Sequence, residues 1–184
     1  ILWATHSVHH HGEDYNLATA LRQTSTGWLW KWIFYMPMIL LGVPVEVFIA
    51  VAGVNLVYQF WVHTEHIQKL GPLEWLLVTP SNHRVHHGRN EQYIDRNYGG
   101  VFILWDRLFG TFQDELAEEP VIFGLRKPLK SWNPLWANGH VYWRLMLDCW
   151  NTSGLLNKLT LPFRPPGWKP SGYTPLCQSK RGNS

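Results

Sequence analysis

From Trp28 to Val62 the chain is overwhelmingly apolar, and this stretch limits what it can fold into more than any other feature. Lys31 and Glu46 are its charged members, and Pro37 and Pro44 sit near its middle. A proline removes a backbone donor and crowds the preceding turn, which disfavours one unbroken helix. Val43 to Val62 counts 20 residues, with Glu46, Asn55 and Gln59 its strongly polar members. About 20 apolar residues suffice for a helix to cross the hydrocarbon core of a bilayer, so this segment is predicted to lie in one. Trp28 to Leu41, at 14 residues, suits a re-entrant or interfacial helix better. The expectation is a helical hairpin broken near Leu41 to Pro44. A buried hairpin in a soluble helical protein is the alternative.

Composition points the same way. Twelve tryptophans and 15% aromatic residues are many for a soluble domain, and amphipathic rings favour membrane interfaces. The net charge of +3, with no Lys/Arg cluster longer than two, argues against a nucleic-acid partner and is compatible with an anionic membrane surface. Cys149 and Cys177 make neither a disulfide framework nor a CxxC site and are expected as unpaired thiols. The sequon Asn151-Thr152-Ser153 reads as accidental.

Ten histidines are present, and they cluster. One pattern occurs twice, His6-x-x-His9-His10 and His83-x-x-His86-His87. At this histidine frequency one such pattern is expected about 0.03 times by chance. Helix positions i, i+3 and i+4 share a face, so each box is expected to aim three imidazoles at one point. Thr79-Pro80-Ser81-Asn82 reads as the start of the helix carrying the second box. His63 and His66 follow the apolar stretch at i and i+3. His63 is a seventh candidate ligand, whereas His66 and His11 read as structural or supporting residues and His140 as a surface histidine. Imidazole suits Zn, Fe, Cu and Ni. Six convergent histidines exceed the needs of one tetrahedral zinc, so two metals are the economical reading. A pair of irons with open coordination positions could use dioxygen to break a C–H bond.

The length, 184 residues, suits one domain. The chain opens on Ile1 rather than Met and reads as part of a longer protein. Beyond about Glu115 it becomes dotted with prolines, with one more amphipathic helix expected from Trp136 to Trp150 and a surface tail over the last twenty residues. The division expected is a catalytic unit over 1–126 and a helical segment with a tail over 127–184.

At the boxes and their flanks the chain resembles the fatty acid hydroxylase and sterol desaturase superfamily. The flanks are HHHGEDYNLATALRQ from His9, QFWVHTEHIQKLGPLEW from Gln59, TPSNHRVHHGRNEQYIDRNYGG from Thr79 and WDRLFGTF from Trp105. They are similar to the branch acting on glyceryl ethers, well over about 1–126 and loosely around Gly154 to Gly167. The resemblance implies an all-α integral membrane protein with a histidine-box di-metal site, multi-pass in the endoplasmic reticulum. It implies two iron ions, held by His6, His9, His10, His83, His86 and His87 with His63 as a further candidate. It also implies tetrahydrobiopterin, dioxygen and an alkylglycerol substrate, hydroxylated next to the ether oxygen to give a fatty aldehyde and a glycerol derivative. An earlier box of two histidines, just upstream of this segment, is implied for the whole protein. A sterol or fatty-acid hydroxylase or desaturase, and a catalytically inactive metal-binding membrane protein, are the alternatives.

Overall fold

The computed structural model describes residues 1–170 and Tyr173. Cys177 and most of the expected tail lie outside the described residues. Among those described, every regular element is helical, apart from one antiparallel bridge between Leu77 and Phe102. In chain order they are α1 (Leu2–His6), α2 (Leu17–Leu21), α3 (Trp28–Leu40), α4 (Val45–Trp61), α5 (Pro80–His87), α6 (Leu104–Phe109), α7 (Pro134–Asn151) and α8 (Leu155–Thr160). Short 3-10 turns cover His9–His11, Gly71–Trp75, Glu91–Tyr93 and Leu161–Phe163.

The hairpin breaks where the sequence places the break. Gly42 takes φ +83, a conformation open to a residue without Cβ. Its N–H meets Ile39 O at 2.9 Å and the N–H of Val43 meets Met38 O at 3.1 Å, a Schellman closure that satisfies two otherwise orphaned carbonyls. Pro44 then caps α4. Pro37, by contrast, does not end α3, which runs through it. Val43 to Val62 is helical only over the 17 residues Val45–Trp61, ~25 Å at about 1.5 Å per residue. Among the described residues no helix is long and apolar enough to cross a membrane. Neither α3 nor α4 buries a residue, and Trp28, Phe34, Ile49, Val54, Leu56 and Val57 are all exposed.

The buried interior lies beneath the hairpin and is unusually polar. Val62, Val78, Val85, Tyr93 and Ile103 are its fully enclosed hydrophobic members, surrounded by buried His, Asn, Thr and Asp. Buried polar groups are stable only when hydrogen-bonded, and here they tie the loops together. Asn97 donates to Asn82 O and Gln113 O and accepts from Gln113 N. The Tyr93 hydroxyl donates to Glu119 O and accepts from Leu116 N. Asp106 accepts from Tyr98 N at 2.7 Å, Gly99 N at 2.8 Å and Thr111 Oγ1 at 2.6 Å. At the other end Tyr142 of α7 bonds Thr5 at 2.6 Å and Thr26 at 2.9 Å, fastening the first box to the C-terminal helix.

Candidate metal centre

The second box is carried by α5, whose start follows from its sequence. Thr79 accepts from Asn82 N at the N-cap, and Pro80 occupies the first turn, where a missing N–H costs nothing. The first box is not one continuous helix. Helix α1 ends at His6, and His9 and His10 fall in the following 3-10 turn. The rings of His9 and His10 stand at 89° to each other as a result and face different ways.

Each box is therefore divided between two clusters, rather than aiming three rings at one point. One cluster joins His9, His63, His83 and His87; the other joins His6, His10 and His86. Both are adjacent: the rings of His10 and His87 stack 4.2 Å apart. All seven candidate ligands are brought together. His63 enters the four-histidine cluster, with its Nε2 3.0 Å from that of His9 and 3.0 Å from that of His83. His66 is exposed and belongs to neither cluster. His11 is half-buried, with its ring 6.0 Å from that of His140. His140 is buried rather than on the surface, because α7 packs against α1, and its Nδ1 donates to Trp136 O and Ala137 O.

Nitrogen geometry shows what the clusters suit. The Nε2 atoms of His6 and His10 are 2.9 Å apart, those of His10 and His86 3.2 Å, and those of His6 and His86 3.3 Å. A neutral ring nitrogen carries either a proton or a lone pair, so hydrogen bonds cannot satisfy all three sides of this triangle. One cation can accept all three lone pairs. At zinc–imidazole distances of about 2.0–2.1 Å, ligand nitrogens at right or tetrahedral angles lie roughly 2.9–3.4 Å apart, which matches the sides observed. In the other cluster, His87 Nε2 is buried without a hydrogen-bond partner. The outer nitrogens are committed elsewhere: Nδ1 of His63 donates to Gln59 O at 2.7 Å, that of His9 to Arg22 O at 3.3 Å and that of His86 to Arg96 O at 3.4 Å. Such bonds set the tautomer and turn the Nε2 lone pairs inward.

Electrostatics keep the rings neutral, the state a ligand needs. Burial, and then the neighbouring His63 and His86 rings, lower the pKa of His9 to about 4. Burial lowers His63 to about 4 against the partly offsetting bond to Gln59 O. His10, His83 and His87 are held well below the ordinary value, by burial first and crowding by other imidazoles second.

Several supporting residues escaped the sequence reading. Tyr15 is buried, stacks on Phe123 at 4.6 Å, lies 5.1 Å from the His87 ring and donates to Val62 O, next to His63. Arg84, inside the second box, forms a two-pronged pair with Glu115 and also donates to Thr64 O and Ile67 O. It thereby pins α5 to the loop that follows His63. Its place inside the box was a signal; Glu115, 31 residues away, offered none.

The fatty acid hydroxylase family model matches residues 1–111. The chain is 48% identical over 170 residues to alkylglycerol monooxygenase of Homo sapiens, covering 92% of this chain and 38% of that protein. It is 37% identical over 177 residues to alkylglycerol monooxygenase of Caenorhabditis elegans, covering 91% and 35%. Over 114 residues it is 31% identical to ornithine lipid hydroxylase OlsE of Rhizobium tropici, covering 61% and 34%. The chain thus spans little more than a third of the length of these relatives. No solved structure matches it.

Proposed function

The chain belongs to the fatty acid hydroxylase family, and from that premise we propose that it is the metal-binding part of a monooxygenase acting on the ether-linked alkyl chain of an alkylglycerol. The observation that carries the reading is the pair of adjacent clusters built from histidine alone, four rings and three. Alkylglycerol monooxygenases 48% and 37% identical over 92% and 91% of this chain support the choice of substrate.

The donor set is all nitrogen, which suits iron, zinc, copper or nickel and not calcium or magnesium. We take the pair as iron, with His9, His63, His83 and His87 holding one ion and His6, His10 and His86 holding the other. Two irons held there would supply the activation of dioxygen. The chain's own residues do the rest. Carbonyls of Gln59, Arg22 and Arg96 orient the rings, and Tyr15, buried beside the His87 ring, stacks on Phe123. In the overall reaction tetrahydrobiopterin gives two electrons and dioxygen gives one oxygen atom to the C–H bond beside the ether oxygen. The other oxygen atom leaves with two protons as water. The hemiacetal then breaks its C–O bond to release a fatty aldehyde and a glycerol derivative.

The hairpin α3–α4 is read as embedded in the bilayer. A face this apolar with no buried residue is not sustained in water, and ~25 Å of helix reaches most of the way through a core about 30 Å thick. The whole protein is proposed as multi-pass in the endoplasmic reticulum, with 1–126 as its catalytic unit and 127–184 as a C-terminal extension.

The test uses full-length protein in detergent, with an alkylglycerol or its ester-linked analogue of the same chain, and tetrahydrobiopterin present or withheld. Pterin-dependent aldehyde from the ether alone is expected. Equal turnover of a sterol, or turnover of the ether without pterin, moves the protein to another branch of the family. Absence of turnover in iron-loaded full-length protein supports an inactive metal-binding protein.

A further inference from the structure

Two side chains of the hairpin are chemically out of place. Asn55 and Gln59 lie one turn apart on α4, half-buried among the exposed Val54, Leu56, Val57 and Phe60. The side-chain hydrogen bond that α4 donates among the described residues comes from the Tyr58 hydroxyl to Val78 O, which leaves both amides uncommitted. An amide in an apolar setting costs free energy until something pairs with it, and polar groups retained at membrane depth mark ligand paths.

Both amides abut Gly100. A Cβ there would stand 2.9 Å from Gln59 Nε2 and 3.7 Å from Asn55 Oδ1. Gly100 is also part of the wall of an open hollow of about 380 Å³, together with Tyr98, Trp105, Phe109 and Thr111; the two amides pack against this wall at Gly100 without lining the hollow themselves. That volume is within the range of small-molecule sites. The wall is held in place. Asp106 clasps the backbone of Tyr98 and Gly99 and the Thr111 hydroxyl. Gly99 leaves no space for a side chain, since a Cβ would come within 2.6 Å of Phe102 O. The Tyr98 ring stands 6.2 Å from the ring of His86, a member of the three-histidine cluster. Trp105 and Phe109 of α6, in the same wall, are exposed and apolar.

We propose that this hollow seats the alkyl chain of the lipid substrate between Trp105 and Phe109, and that Asn55 and Gln59, at its Gly100 edge, grip the glycerol hydroxyls. An amide both donates and accepts, as does a hydroxyl, so two neighbouring amides suit two neighbouring hydroxyls. The junction of head and chain, where the ether oxygen sits, then lies on the Tyr98 side, toward His86. The glyceryl-ether chemistry rests on the function proposed above; the location rests on the hollow and the uncommitted amides.

The experiment is equilibrium binding to the full-length protein in detergent with two probes of equal chain length. One is an alkylglycerol; the other is the alkyl methyl ether, which lacks hydroxyls. Asn55→Leu with Gln59→Met is expected to weaken the alkylglycerol by about tenfold or more and to leave the methyl ether within about twofold. Trp105→Ala with Phe109→Ala is expected to weaken both probes. Metal content and circular dichroism verify folding, and the single, near-isosteric Gln59→Met serves where the double variant fails to fold. Unchanged alkylglycerol binding in a folded variant, or equal loss of both probes, overturns the proposal. Wild-type protein that binds the ether through these residues but releases no aldehyde refutes the activity and keeps the site. Wild-type protein that cleaves the ether while the amide variants bind both probes normally refutes the site alone.

Discussion

Replacing Arg84 by Met probes how the cluster is held. Its guanidinium gives Nε to Glu115 Oε1 at 2.8 Å and Nη2 to Glu115 Oε2 at 2.7 Å, while Nη1 reaches Thr64 O at 2.9 Å and Ile67 O at 2.8 Å. The Arg84 side chain is 5% exposed and that of Glu115 20%. Removing one partner of a buried pair costs about 3–5 kcal/mol, because the other charge is left without compensation. Glu115 retains some solvent and the two carbonyls can take water, so the lower end, about 3 kcal/mol, is expected. The loop after His63 is released at the same time. Metal affinity at the four-histidine cluster should therefore fall roughly ten- to a hundred-fold, the usual size for a residue that orients ligands. Denaturant unfolding in detergent, paired with a metal titration, measures both quantities. The double change Arg84→Met with Glu115→Leu should recover part of the stability, since a buried pair replaced by apolar groups is often neutral. Stability of Arg84→Met within about 0.5 kcal/mol of wild type, with unaltered metal affinity, refutes the reasoning.

Two further outcomes are expected. His86→Ala or His87→Ala in the full-length protein should lower metal occupancy and activity together, measured by elemental analysis and turnover; His66→Ala, at an exposed position outside both clusters, should change neither. The metal-free protein should lose thermal stability as pH falls from about 6.5 toward about 4. The reason is that His9 and His63, lowered to about 4 by burial, stay neutral when folded while the unfolded chain already takes up protons; a melting temperature flat across that window contradicts it.

Much of this architecture was legible because it is local. The hairpin break at Leu41 to Pro44 shows as Gly42-Val43-Pro44, and the structure closes it with two backbone bonds at Gly42 and Val43. The start of α5 shows as Thr79-Pro80 because an N-cap needs a side-chain acceptor next to a residue that can spare its N–H. Helix α7 covers the amphipathic stretch expected over Trp136 to Trp150. Pro37 does not interrupt the helix expected over Trp28 to Leu41, and α3 runs through it to Leu40.

By itself the sequence singled out the six histidines of the two boxes, since a rare residue repeated at one spacing is expected to converge. How they are shared was decided by tertiary structure. Helix α1 stops at His6, so helical periodicity ends inside the first box, and His9 parts from His6 and His10. His63 joins only because α4 delivers it beside His83, 20 residues on. His140 is buried only because α7 folds back over α1, and Glu115 reaches Arg84 across 31 residues. Spacing along a chain encodes which residues share a helical face. It does not encode which faces meet, because that depends on the packing of segments distant in sequence.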